Sequence, residues 1–304
     1  MEAEVSSHDP RPVLVLGASG TQGGAVALAL RARDIPVRGL ARSEATAAKL
    51  SAAGITPVAG DFNDLDALVA ACAGARAVFS MQSAPFVDPQ SERREARTIV
   101  EAVRRAGTPQ IVHTSVSGAG AYHRAMKDWG TGRWNENYWE SKADAEDTVR
   151  ASGLPFWTIL KPAFLMENFI PPKVERFFPH LAQGELLTAL KPETALVLVA
   201  ADDVAAAAVA AIEAPQRFHQ QEIELSGDRV TMAQAAEIFT RVTGRQVTAR
   251  SVTPQAAVAQ GVPEGWVASQ VWSNEVPYPA TPQDSRRYGL HPTPLAEWAA
   301  RHLR

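Results

Sequence analysis

The amino-acid sequence predicts an α/β fold with a doubly wound parallel sheet and a small α/β lobe toward the C-terminus. Short apolar runs alternate with alanine-rich or amphipathic stretches five times between residues 13 and 114, as in parallel strands that are joined by helices. A turn with three glycines follows the first apolar run. The 304 residues suffice for one large α/β domain or for such a domain with an additional lobe.

The first predicted strand and helix flank the most informative turn. The run Val13 to Leu16 leads into the turn, and helix-forming residues follow from Ala25 to Leu30. Glycines at this spacing allow a tight turn, the approach of a pyrophosphate to the backbone and close packing of the helix on the strand. We therefore predict a Rossmann-type dinucleotide loop rather than an ordinary glycine-rich turn. Its residues are Gly17, Ser19, Gly20, Thr21, Gln22 and Gly23.

The end of the second strand indicates which dinucleotide is bound. This strand, Pro36 to Ala41, is followed by Arg42, where NAD-binding folds usually carry an acidic residue for the ribose 2′-hydroxyl. A guanidinium suits a 2′-phosphate instead, and Ser43 and Lys49 are predicted to assist it. The predicted cofactor is NADP(H); a solvated surface arginine is the alternative.

The third strand, Thr56 to Ala59, leads to further candidate cofactor residues. Asp61 and Phe62 follow it directly, and ligands gather at the C-terminal ends of parallel strands. Asp64 is expected to cap the next helix. The pattern then predicts a helix at 65–73, a strand at 75–80, a helix at 91–106 and a strand at 110–114.

Candidate catalytic residues follow the fifth strand. Ser115 ends that strand, and Tyr138 and Lys142 lie four residues apart on a helix predicted from about 135 to 152. A phenol has an ordinary pKa of about 10, and a neighbouring ammonium favours its phenolate. We predict that Tyr138 donates a proton, that Lys142 lowers its pKa and holds the ribose, and that Ser115 orients the substrate oxygen. An exposed amphipathic pair is the alternative for Tyr138 and Lys142.

The second lobe is expected to cover the substrate. A glycine- and tryptophan-rich loop at 118–137 interrupts the alternation of strands and helices. The residues predicted to contact an apolar substrate are Trp129, Trp134, Phe164, Met166 and Phe169, each with core packing as the alternative. The Rossmann domain is expected over 1–160, with 1–11 as a disordered lead-in. The lobe is expected over 161–304, with parts that return to the Rossmann sheet.

Secondary structure in this second half is predicted from caps and periodicity. Asp202 or Asp203 is expected to cap a helix that ends at Ala214, and Thr231 to cap a helix that Gly244 ends. The other predicted elements are helices at 173–182 and 295–302 and strands at 154–160, 196–200, 222–225 and 246–252.

Composition restricts the partners. A net charge of −3 and a pI of about 6.2 give no basic field for nucleic acid or an anionic membrane and favour a small-molecule substrate. The single cysteine, Cys72, lies in an apolar pattern, which predicts a core position and a reducing, cytoplasmic location without disulfides. We expect neither a signal peptide nor a membrane helix nor a metal site. The alanine-rich helix surfaces could pack against a second subunit, so the sequence does not decide between a monomer and a homo-oligomer.

The sequence resembles the NmrA-like group of atypical short-chain dehydrogenase/reductases. The resemblance covers nearly the whole chain, and its segments are VLVLGASGTQGG, ARS, GDFND, IVHTSVSGAG, YWESKADAED, LKPAFLMENF, AADDVA and ELSG followed by TMAQAAEIF. It implies a Rossmann domain that binds NADP(H) and a C-terminal lobe over the substrate. Gly17, Gly20 and Gly23 with Thr21 and Gln22 match the phosphate loop, Arg42 the residue that meets the 2′-phosphate, and Lys142 the lysine near the nicotinamide ribose.

The resemblance leaves more than one activity open. Many members lack the tyrosine of short-chain dehydrogenases, whereas this sequence has Tyr138 together with Ser115. We predict an NADPH-dependent oxidoreductase that reduces a C=O or C=C bond of a fairly apolar, aromatic or quinonoid molecule. The alternative is a non-catalytic redox sensor that acts through a protein partner, as in some relatives. A third reading, a sugar-nucleotide epimerase, would use NAD, and Arg42 argues against it.

Overall fold

A computed structural model describes residues 9–82, 84 and 87–303. The expected lead-in at 1–11 lies mostly outside these residues. The chain forms two compact units, of which unit 1 comprises Met1–Thr114, Ser141–Ile159 and Ala208–Gln221. Unit 2 comprises Ser115–Glu140, Leu160–Ala207 and Glu222–Arg304. Residues 115–140 belong to unit 2, where their aromatic side chains pack with those of residues 272–278. The division of the chain into domains at residue 160 stays a prediction.

Strands and helices alternate through the first half of the chain, as the sequence predicts. They are β1 (Val13–Val15), α1 (Thr21–Arg31), β2 (Val37–Ala41), α2 (Glu44–Ala52), β3 (Thr56–Ala59), α3 (Leu65–Cys72), β4 (Ala77–Ser80), α4 (Ser91–Arg105), β5 (Gln110–Thr114), α5 (Ala121–Arg124), α6 (Glu136–Arg150) and β6 (Phe156–Pro162).

Shorter elements fill the second half. They are β7 (Phe164–Leu165), α7 (Val174–Phe177), β8 (Glu185–Thr188), β9 (Ala195–Val199), α8 (Ala201–Glu213), α9 (Pro215–Phe218), β10 (Gln221–Leu225), β11 (Asp228–Thr231), α10 (Met232–Thr243), β12 (Thr248–Ser251), α11 (Pro254–Ala259), α12 (Glu264–Ser273), α13 (Pro282–Arg286) and α14 (Leu295–His302). Two 3-10 turns lie at Met166–Phe169 and Leu181–Gln183.

The large sheet confirms the predicted fold class. Its seven strands have the order β10-β6-β5-β4-β1-β2-β3. Strand β1 pairs in parallel with both β2 and β4, so that Val13 lies opposite Val37 and Ala77. The strand order therefore changes direction beside β1, which is the point where open α/β sheets bind ligands.

The central strand β1 is apolar throughout, as is usual for a strand that is buried on both faces of a parallel sheet. All three residues of β1 are fully buried. Cys72 lies in the same core with 1% exposure, as predicted, and burial raises the pKa of its thiol to about 12. The side chain of Asp64 accepts a hydrogen bond from the backbone N–H of Ala67 at 3.0 Å, which confirms the predicted cap of α3.

Unit 2 has its own core and two small sheets, with strand orders β11-β9-β7 and β12-β8. The predicted caps of α10 are confirmed: Thr231 accepts from the backbone of Gln234, and Gly244 adopts the left-handed conformation at φ +69°. The helix predicted at 173–182 is wrong beyond Phe177. Phe178 turns into the core, with 1% exposure, and stacks on Phe169 at 4.5 Å between ring centroids.

The predicted cap of α8 is also wrong. The helix begins at Ala201, so Asp202 and Asp203 lie inside its first turn. The carboxylate of Asp203 accepts hydrogen bonds from the backbone N–H and the hydroxyl of Thr293, at 2.8 and 2.7 Å. Asp203 therefore binds a residue that is distant in sequence and does not cap the helix, as its local sequence would suggest.

Two structural features are absent from the described residues. None of the helices among them has the length and apolarity to cross a membrane. Nor do these residues bring together three or more His, Cys, Asp or Glu side chains in a metal-binding group.

Candidate functional site

The glycine loop between β1 and α1 requires two of its glycines for different reasons. Gly17 has φ +69°, and a Cβ there would lie 2.5 Å from the sulfur of Met81. Gly23 has an ordinary φ, but a Cβ there would lie 2.3 Å from the carbonyl oxygen of Gly17. Gly17 thus makes the turn, and Gly23 allows α1 to sit directly against the loop.

This packing leaves the N-terminus of α1 open to an anion. Gly20 is the N-cap, and the backbone N–H of Gly24 makes the first helical bond, to the Gly20 carbonyl at 2.9 Å. The preceding amides, from Thr21 to Gly23, belong to the first turn, which has no acidic residue. Ser19 and Gly20 are exposed. The loop therefore fits a phosphate group, as the sequence predicts.

Gln22 has a role in the fold besides the predicted one. Its side-chain oxygen accepts a hydrogen bond from the hydroxyl of Thr114 at 2.9 Å, which joins the start of α1 to the end of β5. A phosphate contact would use the amide nitrogen, which this bond does not engage.

A cleft of about 610 Å³ lies at the C-terminal ends of β2 and β3. It is lined by Ala41, Arg42, Ser43, Glu44, Ala47, Pro57, Ala59, Gly60, Asp61 and Asp64. Arg42 is exposed, and Ser43 caps α2 by accepting from the backbone of Thr46. Lys49 donates to the carbonyl of Ser19 at 2.9 Å and adds a second cation between this helix and the glycine loop. The cleft suits an anionic ligand group beside Arg42.

Asp61 enters the cleft as an ionised carboxylate. The backbone and side-chain nitrogens of Asn63 both donate to its Oδ1 at 2.9 Å. These two bonds, with a smaller contribution from the charge of Arg42, lower the pKa of Asp61. Phe62, the neighbouring candidate, is partly buried and packs against the core of unit 1.

Lys142, on α6, has a partner that the sequence analysis missed. Its Nζ lies 2.5 Å from Oε1 of Glu92 on α4, and the hydroxyl of Ser141 donates to Oε2 of the same carboxylate at 2.7 Å. Glu92 is 1% exposed. A signal was present, because Glu92 has the helical spacing of Ala96, Ile99 and Val103, on the face that packs in the core. A glutamate in that position implies a buried partner.

Tyr138 lies in an aromatic cluster within unit 2. Its ring meets Trp139 edge to face at 5.4 Å, and Trp139 stacks on Trp272 at 4.5 Å. The whole cluster consists of Val116, Ala119, Met126, Trp129, Trp134, Tyr138, Trp139, Trp272, Val276 and Tyr278. Trp129, Trp134 and Tyr138 are only partly buried, so the cluster offers aromatic surface beside a phenol.

A buried histidine supports this cluster. His123 has no exposed surface and lies 4.6 Å from Trp129 and 5.5 Å from Trp139, measured between ring centroids. Its Nδ1 accepts from the backbone of Gly120, and its Nε2 lies 3.3 Å from the carboxylate of Glu140. Burial lowers the pKa of His123, so the neutral ring packs among the tryptophans.

Two charged side chains hold the loop that follows Ser115. Ser115 itself is 7% exposed, and its backbone N–H donates to Leu160 at 2.8 Å. Lys161 donates to the carbonyl of Ala119 at 3.0 Å and pairs with Glu222 at 2.9 Å. The backbone N–H of Gly118 donates to Glu224 at 3.2 Å. The sequence gives no signal for this role of Lys161, because its partners Ala119 and Glu222 are remote in sequence.

Three predicted substrate residues lie in the core of unit 2 instead. Met166 has no exposed surface, and Phe169 has 2%. Phe164, with 9% exposure, stacks on Trp266 at 4.9 Å. These three side chains pack in the core, whereas Trp129 and Trp134 are only partly buried.

Comparisons with known proteins agree with this architecture. The chain is 29% identical over 263 residues to an NAD(P)H azoreductase of Xenophilus azovorans, an alignment that covers 83% of this chain and 82% of the relative. A solved structure of a triphenylmethane reductase from Citrobacter sp. has a TM-score of 0.78 at 21% identity and covers 96% of this chain and 99% of its own.

A third likeness is to a protein with a different role. The structure of NmrA, a negative transcriptional regulator in complex with NADP, has a TM-score of 0.73 at 19% identity and covers 96% of this chain and 95% of its own. The sequence profile of the NmrA-like family matches residues 10–284. The chain therefore belongs to the NmrA-like family.

Proposed function

We propose that the chain is an NADPH-dependent reductase of the atypical short-chain dehydrogenase type, acting on a C=O or C=C bond of an apolar, aromatic small molecule. The observation that carries this proposal is the position of Tyr138. It is a partly exposed phenol beside tryptophan rings, and it lies on the same helix as Lys142. A phenol and partly exposed aromatic rings thus lie together in unit 2, which supports the proposal.

The cofactor assignment rests on unit 1. Gly17, Gly20 and Gly23 form a loop that fits a pyrophosphate, and Arg42 lies in a cleft that suits a 2′-phosphate. Ser19, Thr21, Gln22, Ser43, Asp61 and Phe62 complete the proposed cofactor residues. The relatives support this choice, because one is named for the use of NAD(P)H and another was solved with NADP.

In the proposed reaction, bound NADPH would supply a hydride to the electrophilic carbon of the substrate. Ser115 donates a hydrogen bond to the substrate oxygen and holds it. Tyr138 gives its phenolic proton to the atom on which negative charge develops. Lys142 holds the ribose and favours the resulting phenolate through its positive charge.

The aromatic cluster supports the proposed substrate class. Trp129 and Trp134 present flat, apolar surface, which suits a conjugated or quinonoid molecule that stacks on it. The names of two relatives refer to azo compounds and to triphenylmethane dyes. These names support an aromatic substrate and place azo compounds and dyes in the first panel of tests.

A redox-sensing regulator is the second candidate. The pairing of Lys142 with Glu92 favours it, because a lysine that is already ion-paired can serve cofactor binding without catalysis. In that case the protein binds NADP(H) and acts through a protein partner. Both candidates predict cofactor binding, so only turnover separates them.

The test is NADPH oxidation by the purified protein, followed optically, with quinones, enones, aromatic ketones, azo compounds and triphenylmethane dyes. We expect turnover with at least one class and a loss of about 10²- to 10⁴-fold in Tyr138→Phe. Tyr278→Phe, the same change within the same cluster, should retain most activity. NADPH binding without turnover on any member of the panel contradicts the reductase and supports the regulator.

A further inference from the structure

We propose that Glu92 is a positioning residue that holds the Lys142 ammonium in place for the nicotinamide ribose. The inference rests on the proposed function, because it assigns a task to the lysine that this function uses. Glu92 itself touches neither substrate nor cofactor in this scheme. It acts through Lys142.

The contacts fix both partners. The Glu92 carboxylate uses Oε1 for Lys142 at 2.5 Å and Oε2 for the hydroxyl of Ser141 at 2.7 Å. With both oxygens engaged, the carboxylate has one orientation, and the ammonium is held to the same degree. A lysine without such a partner would distribute its flexible side chain over many rotamers.

The place of Glu92 in α4 also calls for explanation. It occupies the first turn of the helix, where the helix dipole favours an anion, but its side chain is 1% exposed on the apolar face. A carboxylate in such surroundings is strongly unfavourable without a charged partner. An apolar residue would pack this face at lower cost, so the glutamate is explained by what it does to Lys142.

Attachment of α4 to α6 does not require this pair. The next residue, Arg93, forms its own ion pair with Asp144 on α6 at 2.5 Å, and the Asp144 side chain is 44% exposed. This second pair joins the same two helices one residue further along. It does not involve the Glu92 carboxylate and therefore provides a matched control.

The neighbouring titratable groups show the polarity of the pair. His113 on β5 is fully buried, and its pKa falls to about 3 through burial first and then through the charges of Lys142 and Arg150. Glu95, one turn along α4, has its pKa raised to about 7 by burial, and Glu92 adds to that shift. The charge of each partner thus acts on a buried titratable group nearby.

The experiment is a double-mutant cycle read by NADPH affinity. Glu92→Gln keeps the shape of the side chain and removes its charge, Asp144→Asn breaks the control pair, and Lys142→Met removes the positioned group. We expect Glu92→Gln to weaken NADPH binding about tenfold, and Asp144→Asn to leave it within about twofold. In the Lys142→Met background, Glu92→Gln should cause no further loss.

Several outcomes overturn the proposal. One is NADPH affinity in Glu92→Gln that is unchanged or tighter. Another is an equal loss of NADPH affinity in Glu92→Gln and Asp144→Asn. A third is a loss of about tenfold in affinity that Glu92→Gln still causes in the Lys142→Met background. If Glu92→Gln does not fold, the double variant Glu92→Leu with Lys142→Met, which lacks both charges, should fold. Glu92→Asp, with its shorter side chain, then replaces Glu92→Gln in the cycle, and the expected losses of NADPH affinity are the same. Since the readout is affinity, an enzyme that binds NADPH but reduces nothing contradicts the reductase and leaves this test intact.

Discussion

Replacing Gly23 by alanine tests the geometry of the cofactor loop. The new Cβ would lie 2.3 Å from the oxygen of Gly17, 2.5 Å from its carbonyl carbon and 2.9 Å from the oxygen of Leu16. All three are backbone atoms, so no side chain can move aside. Ordinary carbon–oxygen contact needs about 3.3 Å or more, so α1 must shift by roughly 1 Å from the loop.

Such a shift displaces the first-turn amides that are proposed to meet the phosphates. Overpacking of this kind costs about 1–3 kcal/mol of stability, and we expect NADPH affinity to fall at least about tenfold, since charge-assisted bonds of about 1.5–3 kcal/mol are disturbed. Urea unfolding and a fluorescence titration with NADPH measure the two effects.

Gly24→Ala is the matched control for this variant. Its Cβ would meet only the oxygen of Ala18, at 3.3 Å, and alanine favours a helix over glycine by about 0.8–1 kcal/mol. We therefore expect Gly24→Ala to retain stability and NADPH affinity. Equal behaviour of the two variants, or full affinity in Gly23→Ala, would refute the proposed role of the close approach between loop and helix.

Three further predictions concern cofactor choice, the Ser115 loop and pH. Arg42→Ala should weaken NADPH by about 10- to 100-fold and NADH hardly at all; equal losses in a titration would remove the 2′-phosphate assignment. Lys161→Met should lower the free energy of unfolding by about 1–3 kcal/mol, because the bond to the Ala119 carbonyl is lost. Lys191→Met, at an exposed lysine, is the control, and equal stability of the two variants would contradict the role of Lys161 in holding the Ser115 loop. The pKa of His113 is 6.5 in the unfolded chain and about 3 in the folded protein, so the unfolded chain takes up a proton first as the pH drops below 6.5. The free energy of unfolding should therefore fall by up to about 1.4 kcal/mol per pH unit. His113→Gln should lack this pH dependence when denaturation at pH 7 and pH 5 is compared. Glu95, with its raised pKa, stabilises the fold as the pH drops, so the test is the difference in unfolding free energy between the parent protein and His113→Gln. If the two proteins lose stability equally between pH 7 and pH 5, the role of His113 is contradicted.

The fold could be predicted because its signals are local. The apolar run before Gly17, the glycine spacing and the caps at Asp64 and Thr231 each depend on residues within one or two turns of each other. The predicted positions of β2 and β5 therefore agree with the structure to within about a residue.

The errors arose where tertiary contacts override local preference. Phe178 enters the core and ends α7 early, and Asp203 binds Thr293 rather than the end of α8. Met166 and Phe169 form part of a core that the sequence could not distinguish from a pocket, because both environments are apolar.

The residue types of the candidate site are visible in the sequence, but their pairings are not. The helix spacing of Tyr138 and Lys142 is visible in the sequence, whereas the contact between Lys142 and Glu92 joins residues that are 50 positions apart. The same applies to Trp272 and Tyr278, which complete the cluster around Tyr138 from the C-terminal region. Only their positions in the folded chain reveal these partners.

The most direct test of the central claim follows the hydride itself. Protein loaded with NADPH that carries deuterium on the transferable position of its nicotinamide is mixed with an aromatic ketone, an enone or a triphenylmethane dye that it turns over. These substrates take the hydride on a carbon atom, so the label does not exchange with water, and the product is analysed by mass spectrometry. We predict deuterium on the reduced carbon of the product, at a rate that falls sharply in Tyr138→Phe. NADPH that stays bound and unoxidised, or a product without deuterium, would contradict the account.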